Sequence, residues 1–309
     1  MAHDESHDIP FAVPGAPAPT VGRYDVNGCR LYAEVRGTGP SLLIIGAASD
    51  DAEMFRPIAE RLAGFTVVTW DPRGTGRSSR EGWPCDSHAH ADDAAALLNG
   101  LGLAPAAIFG ASAGGIVAVR LAVRHPDLVR RVLVYEPGFF RTTDAGTALL
   151  ASVTLAVREH LRDHPDDWLG ALAVVARAAA RDQAADRDGS NDDGGRGPLD
   201  APPGLEWYIE RGAALAENFI RDDLPRTEES VDGAALRATQ ADLHFASGSD
   251  SPQVFREIAK ALTALRRRPG TADPREPDRV AGASHLAYLT PDPIAHYIRA
   301  RCLPVRPVD

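Results

Sequence analysis

Hydrophobic and polar positions alternate in two rhythms through the first half of this chain. Short apolar runs at Ser41–Ile45, Thr66–Trp70, Ala106–Phe109 and Val132–Tyr135 read as buried strands. Between them, apolar residues recur at helical spacing. Phe55, Ile58 and Leu62 mark a helix over Ala52–Ala63, and Ala91, Ala94, Leu98 and Leu101 mark one over His88–Leu101. A third, Ala113–Arg124, stops before Pro126. Ahead of these lie Val21–Val26 and Arg30–Val35, joined by Asn27-Gly28, a strong hairpin signal. A strand-helix rhythm of this kind predicts an α/β fold. Its mostly parallel, eight-stranded sheet carries helices on both faces.

The rhythm breaks after about Phe139. Residues 139–240 are Ala-rich, with candidate helices at Thr143–His160, Asp166–Ala185 and Leu205–Phe219. A Gly-, Asp- and Pro-rich stretch at 186–203 reads as a loop. Strand character returns at Ala241–Ala246, then a helix at Pro252–Arg267, a short strand near Asp278–Ala281 and a last helix at Asp292–Cys302. The expected organisation is a flexible or draped arm at 1–20, a core formed by 21–138 and 241–309, and a helical lid at 139–240 inserted after the sixth strand. No internal repeat is present.

Composition narrows the class. The chain has 309 residues, 44% of them hydrophobic, enough for a substantial core. No apolar run reaches the length of a membrane span, and the start of the chain lacks the apolar stretch of a signal peptide. Cys29, Cys85 and Cys302 lie far apart in no zinc-like spacing, so neither a disulfide framework nor a metal site is expected, and a reducing cytoplasm is the default location. A net charge of −10 argues against nucleic acid or an anionic membrane as partner. The expected partner is a small-molecule substrate, and the oligomeric state is left open.

Chemistry enters at Gly110-Ala111-Ser112-Ala113-Gly114, between an apolar run and a helical stretch. A strand, a tight turn with Ser at its tip and a helix form a nucleophile elbow. A serine hydroxyl needs a base, and the base needs an orienting acid. His285 follows the last strand, where loops of parallel sheets gather functional groups, and is the expected base. Two carboxylates end neighbouring strands. Asp250 is preferred as the acid and Glu136 is the alternative. Two backbone N–H donors are expected to hold an oxyanion: Ala113 after the nucleophile, and Ala47 in the loop after Ser41–Ile45. Phe139, Phe140, Trp168 and Trp207 are candidates for an apolar substrate pocket.

Together these residues resemble the α/β-hydrolase superfamily, in its lidded serine esterase- and lactonase-like branch, over roughly residues 23–137 and 241–302. Asp71-Pro72-Arg73-Gly74-Thr75-Gly76-Arg77-Ser78 is similar to the turn that follows the family's fourth strand, and its role there is mainly structural. Ile45-Gly46 stands where the family often has His-Gly. The resemblance implies a cofactor-free serine hydrolase of a small, largely apolar ester or lactone, acting through an acyl-enzyme. The same scaffold also carries C–C hydrolases, peptidases, cofactor-free haloperoxidases, natural-product cyclases and non-catalytic ligand receptors. Those readings stay open from sequence.

Overall fold

The computed structural model describes residues 9–48, 50–186, 206–266 and 276–303. Asn27 and Gly28 both take positive φ, 47° and 74°, and pin an antiparallel hairpin of β1 (Thr20–Val26) and β2 (Cys29–Arg36) in register Val26 to Cys29. Beyond it come β3 (Ser41–Ile45), β4 (Thr66–Asp71), β5 (Ala106–Ala111), β6 (Val129–Tyr135), β7 (Asp242–Gly248) and β8 (Asp278–Val280). The sheet has eight strands in the order β1-β2-β4-β3-β5-β6-β7-β8. Strand β2 pairs antiparallel with β4, and all later pairings are parallel. The chain therefore winds outward from β3 in both directions, and the carboxyl ends of β3 and β5 flank the crossing point where such sheets place ligands.

Helices cover both faces. On one side α2 (Ser87–Gly100), α3 (Ser112–Arg124) and α10 (Gln253–Arg266) bury Leu98, Ile116 and Ile258 against Val68, Ile108 and Phe245. On the other, α1 (Arg56–Glu60) and α11 (Pro291–Cys302) bury Ile58 and Ile294 against Leu42, Phe109 and Leu133. Helix α1 is shorter than its apolar stripe predicts. The carboxylate of Asp51 accepts the N–H groups of Glu53 and Met54, and Asp71 accepts that of Ala52, which holds residues 52–55 as turns. Pro57 then starts the helix.

Between β6 and β7 the chain is helical: α4 (Asp144–Asp163), α5 (Trp168–Asp186), α6 (Glu206–Ala214), α7 (Ala216–Asn218), α8 (Leu224–Arg226) and α9 (Gly233–Ala238). The helix expected at Leu205–Phe219 is broken in two, and a π-helical turn, Phe219–Asp223, follows it. The expected loop at 186–203 lies outside the described residues except for Asp186. Thr143 caps α4 through the N–H of Gly146.

A buried polar knot ties this segment to the core. Asp222 accepts the Cys85 N–H, lies 2.8 Å from His90 Nε2, and pairs with Arg226. Arg211 of α6 binds Asp51 and Glu53 on the core side. The first described residues drape over the same junction: Ile9 is buried, Phe11 stacks on Tyr208, and Tyr208 donates its hydroxyl to Pro10 O. No described helix is long and apolar enough to cross a membrane.

Candidate active site

Ser112 sits at the tip of the turn between β5 and α3, with φ at 48°. That left-handed backbone is costly for a side chain other than glycine, and it is held here by crowding on every side. A Cβ on Gly114 would lie 2.0 Å from Gly46 O, and one on Gly110 would lie 2.7 Å from both Ala118 Cβ and Gly114 O. The two flanking glycines of the motif are therefore contact requirements: Gly114 because the turn is pressed against the loop after β3, and Gly110 because α3 folds back against it. On the far side, Gly138 donates its N–H to Ser112 O at 3.0 Å.

A second strained residue ends β6. Glu136 has φ at 49°, is wholly buried, and donates its own N–H to Ala246 O. Its carboxylate accepts from both sides. Oε1 takes the Gly248 N–H at 2.7 Å, and Oε2 lies 2.8 Å from His285 Nδ1. With Nδ1 bound to a carboxylate, that nitrogen carries the proton and Nε2 keeps its lone pair as a base. The His285 ring stacks on Phe255 with centroids 4.0 Å apart. Its loop is held by the Tyr135 hydroxyl, which donates to Ser284 O at 2.7 Å.

The carboxylate at hydrogen-bond distance from His285 is therefore Glu136. Asp250, preferred from sequence, is exposed at the end of β7 and accepts the Ser249 hydroxyl at 2.7 Å. The physical reason is direction. The backbone of Glu136 turns sharply at the strand end and drives its side chain inward, while Asp250 lies two residues past the end of its strand.

Ser112 and His285 line one cavity of about 270 Å³. Leu149, Leu150, Val153, Val175, Phe219 and Leu224 wall it from the β6–β7 segment, and Val254, Phe255 and Leu286 from the core. Among the described residues its polar lining is Asp50, Ser112, Thr227 and His285. Of the four aromatics expected in the pocket, Phe140 is in the wall. Phe139 is wholly buried in the main core, Trp168 packs in the cluster between α4 and α5, and Trp207 lies edge-on to Tyr208. The aliphatic wall went unnoticed because Leu and Val on an amphipathic helix look alike whether they face a core or a cavity. Phe255, on the buried side of α10, also lines the cavity.

The two expected oxyanion donors differ. Ala113 is wholly buried in the first turn of α3, where N–H groups lack helical partners. Ala47 also lines the cavity, but its N–H donates to Asp50 Oδ2 at 2.9 Å. The Asp71–Ser78 turn is bound up in structure: Arg77 binds Asp71 and lies over the Tyr32 ring, and Arg73 pairs with Asp93.

Residues 40–188 match the alpha/beta hydrolase fold family. A region of 121 residues is 37% identical to an uncharacterized hydrolase, YraK, of Bacillus subtilis, covering 38% of this chain and 44% of that protein. Another of 132 residues is 32% identical to 2-(acetamidomethylene)succinate hydrolase of Mesorhizobium japonicum, covering 42% and 48%. The chain thus spans about half the length of these curated relatives. Over its whole length it superposes on an esterase of Thermogutta terrifontis with a TM-score of 0.64 at 19% identity, covering 91% of this chain and 97% of that one. The chain has the alpha/beta-hydrolase fold.

Proposed function

We propose that the chain is a serine hydrolase that cleaves a carboxylic ester or lactone of a small, largely apolar substrate through an acyl-enzyme. The observation that carries this reading is the Glu136–His285 bond beside a strained Ser112 in one shared cavity. Ser112 attacks the carbonyl while His285 Nε2 takes its proton. Glu136 fixes the ring tautomer and stabilises the imidazolium. The N–H groups of Ala113 and Ala47 receive the oxyanion. His285 returns the proton to the leaving alcohol, then activates the water that releases the acyl group. No cofactor is required for these steps. The helices between β6 and β7 act as the lid that excludes bulk water.

The wall supports the substrate class. Among the described residues that line it there is no Lys or Arg, so an anionic substrate such as the succinate of the Mesorhizobium relative would be buried there without a counter-charge. A neutral acyl chain suits the Leu, Val and Phe surface. Each methylene that the wall buries is worth about 0.8 kcal/mol, roughly fourfold in kcat/KM where the contact persists in the transition state. A fluorophosphonate probe should label Ser112, and S112A should abolish both labelling and turnover. Across neutral p-nitrophenyl esters, kcat/KM should climb with acyl length until the cavity is full. An unlabelled, folded wild type would refute the reading, and preference for a dicarboxylate would refute the substrate class.

A further inference from the structure

Asp50 lies in the loop after β3, 5% exposed, with Oδ2 accepting the Ala47 N–H at 2.9 Å. It faces the reaction cavity together with Ser112 and His285. It also lines a second internal cavity of about 10 Å³ beside Trp70, His90 and Arg226, room for about one water. Asp50 thus forms part of the partition between the two. The nearest cations are committed elsewhere: Arg211 binds Asp51, and Arg226 binds Asp222 and Asp223. Among the described residues no cation pairs with Asp50. The phenols of Tyr208 and Tyr288 also face it, and His285 lies across the cavity.

The N–H that Asp50 holds is the second oxyanion donor of the proposed reaction, and the inference rests on that reading. We propose that Asp50 is the positioning residue of the oxyanion loop, a latch whose protonated carboxyl yields the Ala47 N–H to the substrate oxygen and whose ionised carboxyl keeps it. A hydrogen bond to an ionised acceptor is roughly twice as strong as one to a neutral acceptor, so a neutral acid orients the donor and still gives way. An ionised Asp50 would also set a negative charge beside the developing alkoxide. Burial, and the neighbouring Asp223 and Asp51, push the Asp50 carboxyl well above the usual range, towards the open latch, against the opposing pull of the Ala47 N–H. Both phenols are likewise pushed up by burial.

The test is the pH profile of kcat for a neutral p-nitrophenyl ester between about pH 6 and 10. Wild type should lose activity on the alkaline side, toward the roughly 10²-fold drop expected for one lost oxyanion donor. D50A, which cuts the tether, should lower kcat at pH 7 by roughly 10–10²-fold with KM little changed. D50N keeps a neutral acceptor for the Ala47 N–H, so it should recover the D50A loss and lack the alkaline fall. In case D50N does not fold, D223N retains Asp50 and removes a facing negative charge, so the alkaline limb should move to lower pH. A flat wild-type profile, an unmoved limb in D50N, or an unmoved limb in D223N overturns the latch. Fluorophosphonate labelling of the wild type at pH 7 separates the two failures. No labelling sinks the hydrolase reading, whereas labelling with an unmoved limb sinks the latch alone.

Discussion

The carboxylate of Glu136 meets His285 because one backbone angle, φ at 49°, turns it inward at the end of β6. Sequence position left both Asp250 and Glu136 open, with Asp250 preferred, since both stand at the carboxyl ends of adjacent strands. What separates them is side-chain direction at a strand end, and no pattern of residue types encodes that angle. As candidates, Ser112, His285 and Ala113 were legible because their signal is local: a strand-turn-helix context, a loop address and a position after the proposed nucleophile. The link from Ala47 to Asp50 was not, because a carboxylate in a short loop carries no mark of what it binds. At this scale the prediction is a ranking. Glu136→Gln keeps the shape but loses the charge that stabilises the imidazolium, so kcat should fall by roughly 10³–10⁴-fold. Asp250→Asn, exposed and with its carboxylate bound, among the described residues, to its neighbour's hydroxyl, should stay within about threefold. Steady-state kinetics of the two purified variants decide between them.

Among the elements, the central strands β3 to β6 were the most legible, because each carries a short apolar run buried on both faces. Helices were legible where a stripe packs on the sheet, as in α2, α3 and α10. The stripe failed at α1, where Asp51 and Asp71 take the N–H groups that a longer helix would have left to its own first turn. It failed again at 206–226, where Asp222 is drawn to His90 and Cys85 and the helix loosens into a π turn. That knot lies between sequence-distant elements, so periodicity cannot show it. Its energetic weight is testable. Asp222→Ala leaves His90 and Arg226 buried without their shared acceptor, a loss of about 3–5 kcal/mol for a broken buried pair. Urea unfolding followed by circular dichroism should show a large drop in midpoint, and a shift of under about 1 kcal/mol would mean that water replaces the carboxylate.

Across the whole molecule, the crossing point of the sheet sets the site. Outward winding from β3 brings the loop after β3 against the tip of β5, and the closeness of Gly114 to Gly46 O is the measure of that contact. The groups of the proposed reaction then come from the end of β5, the end of β6 and the loop before α11, far apart in the chain and brought together by one sheet. Two of them, Ser112 and Glu136, hold left-handed backbones that glycine would adopt freely. Activity and durability are therefore set against each other at the same positions. Ser112→Gly should abolish turnover yet raise unfolding stability by about 1 kcal/mol, read from the urea midpoint. Laboratory evolution for heat resistance alone would drift towards glycine there, and a screen that never asks for turnover would discard the chemistry first.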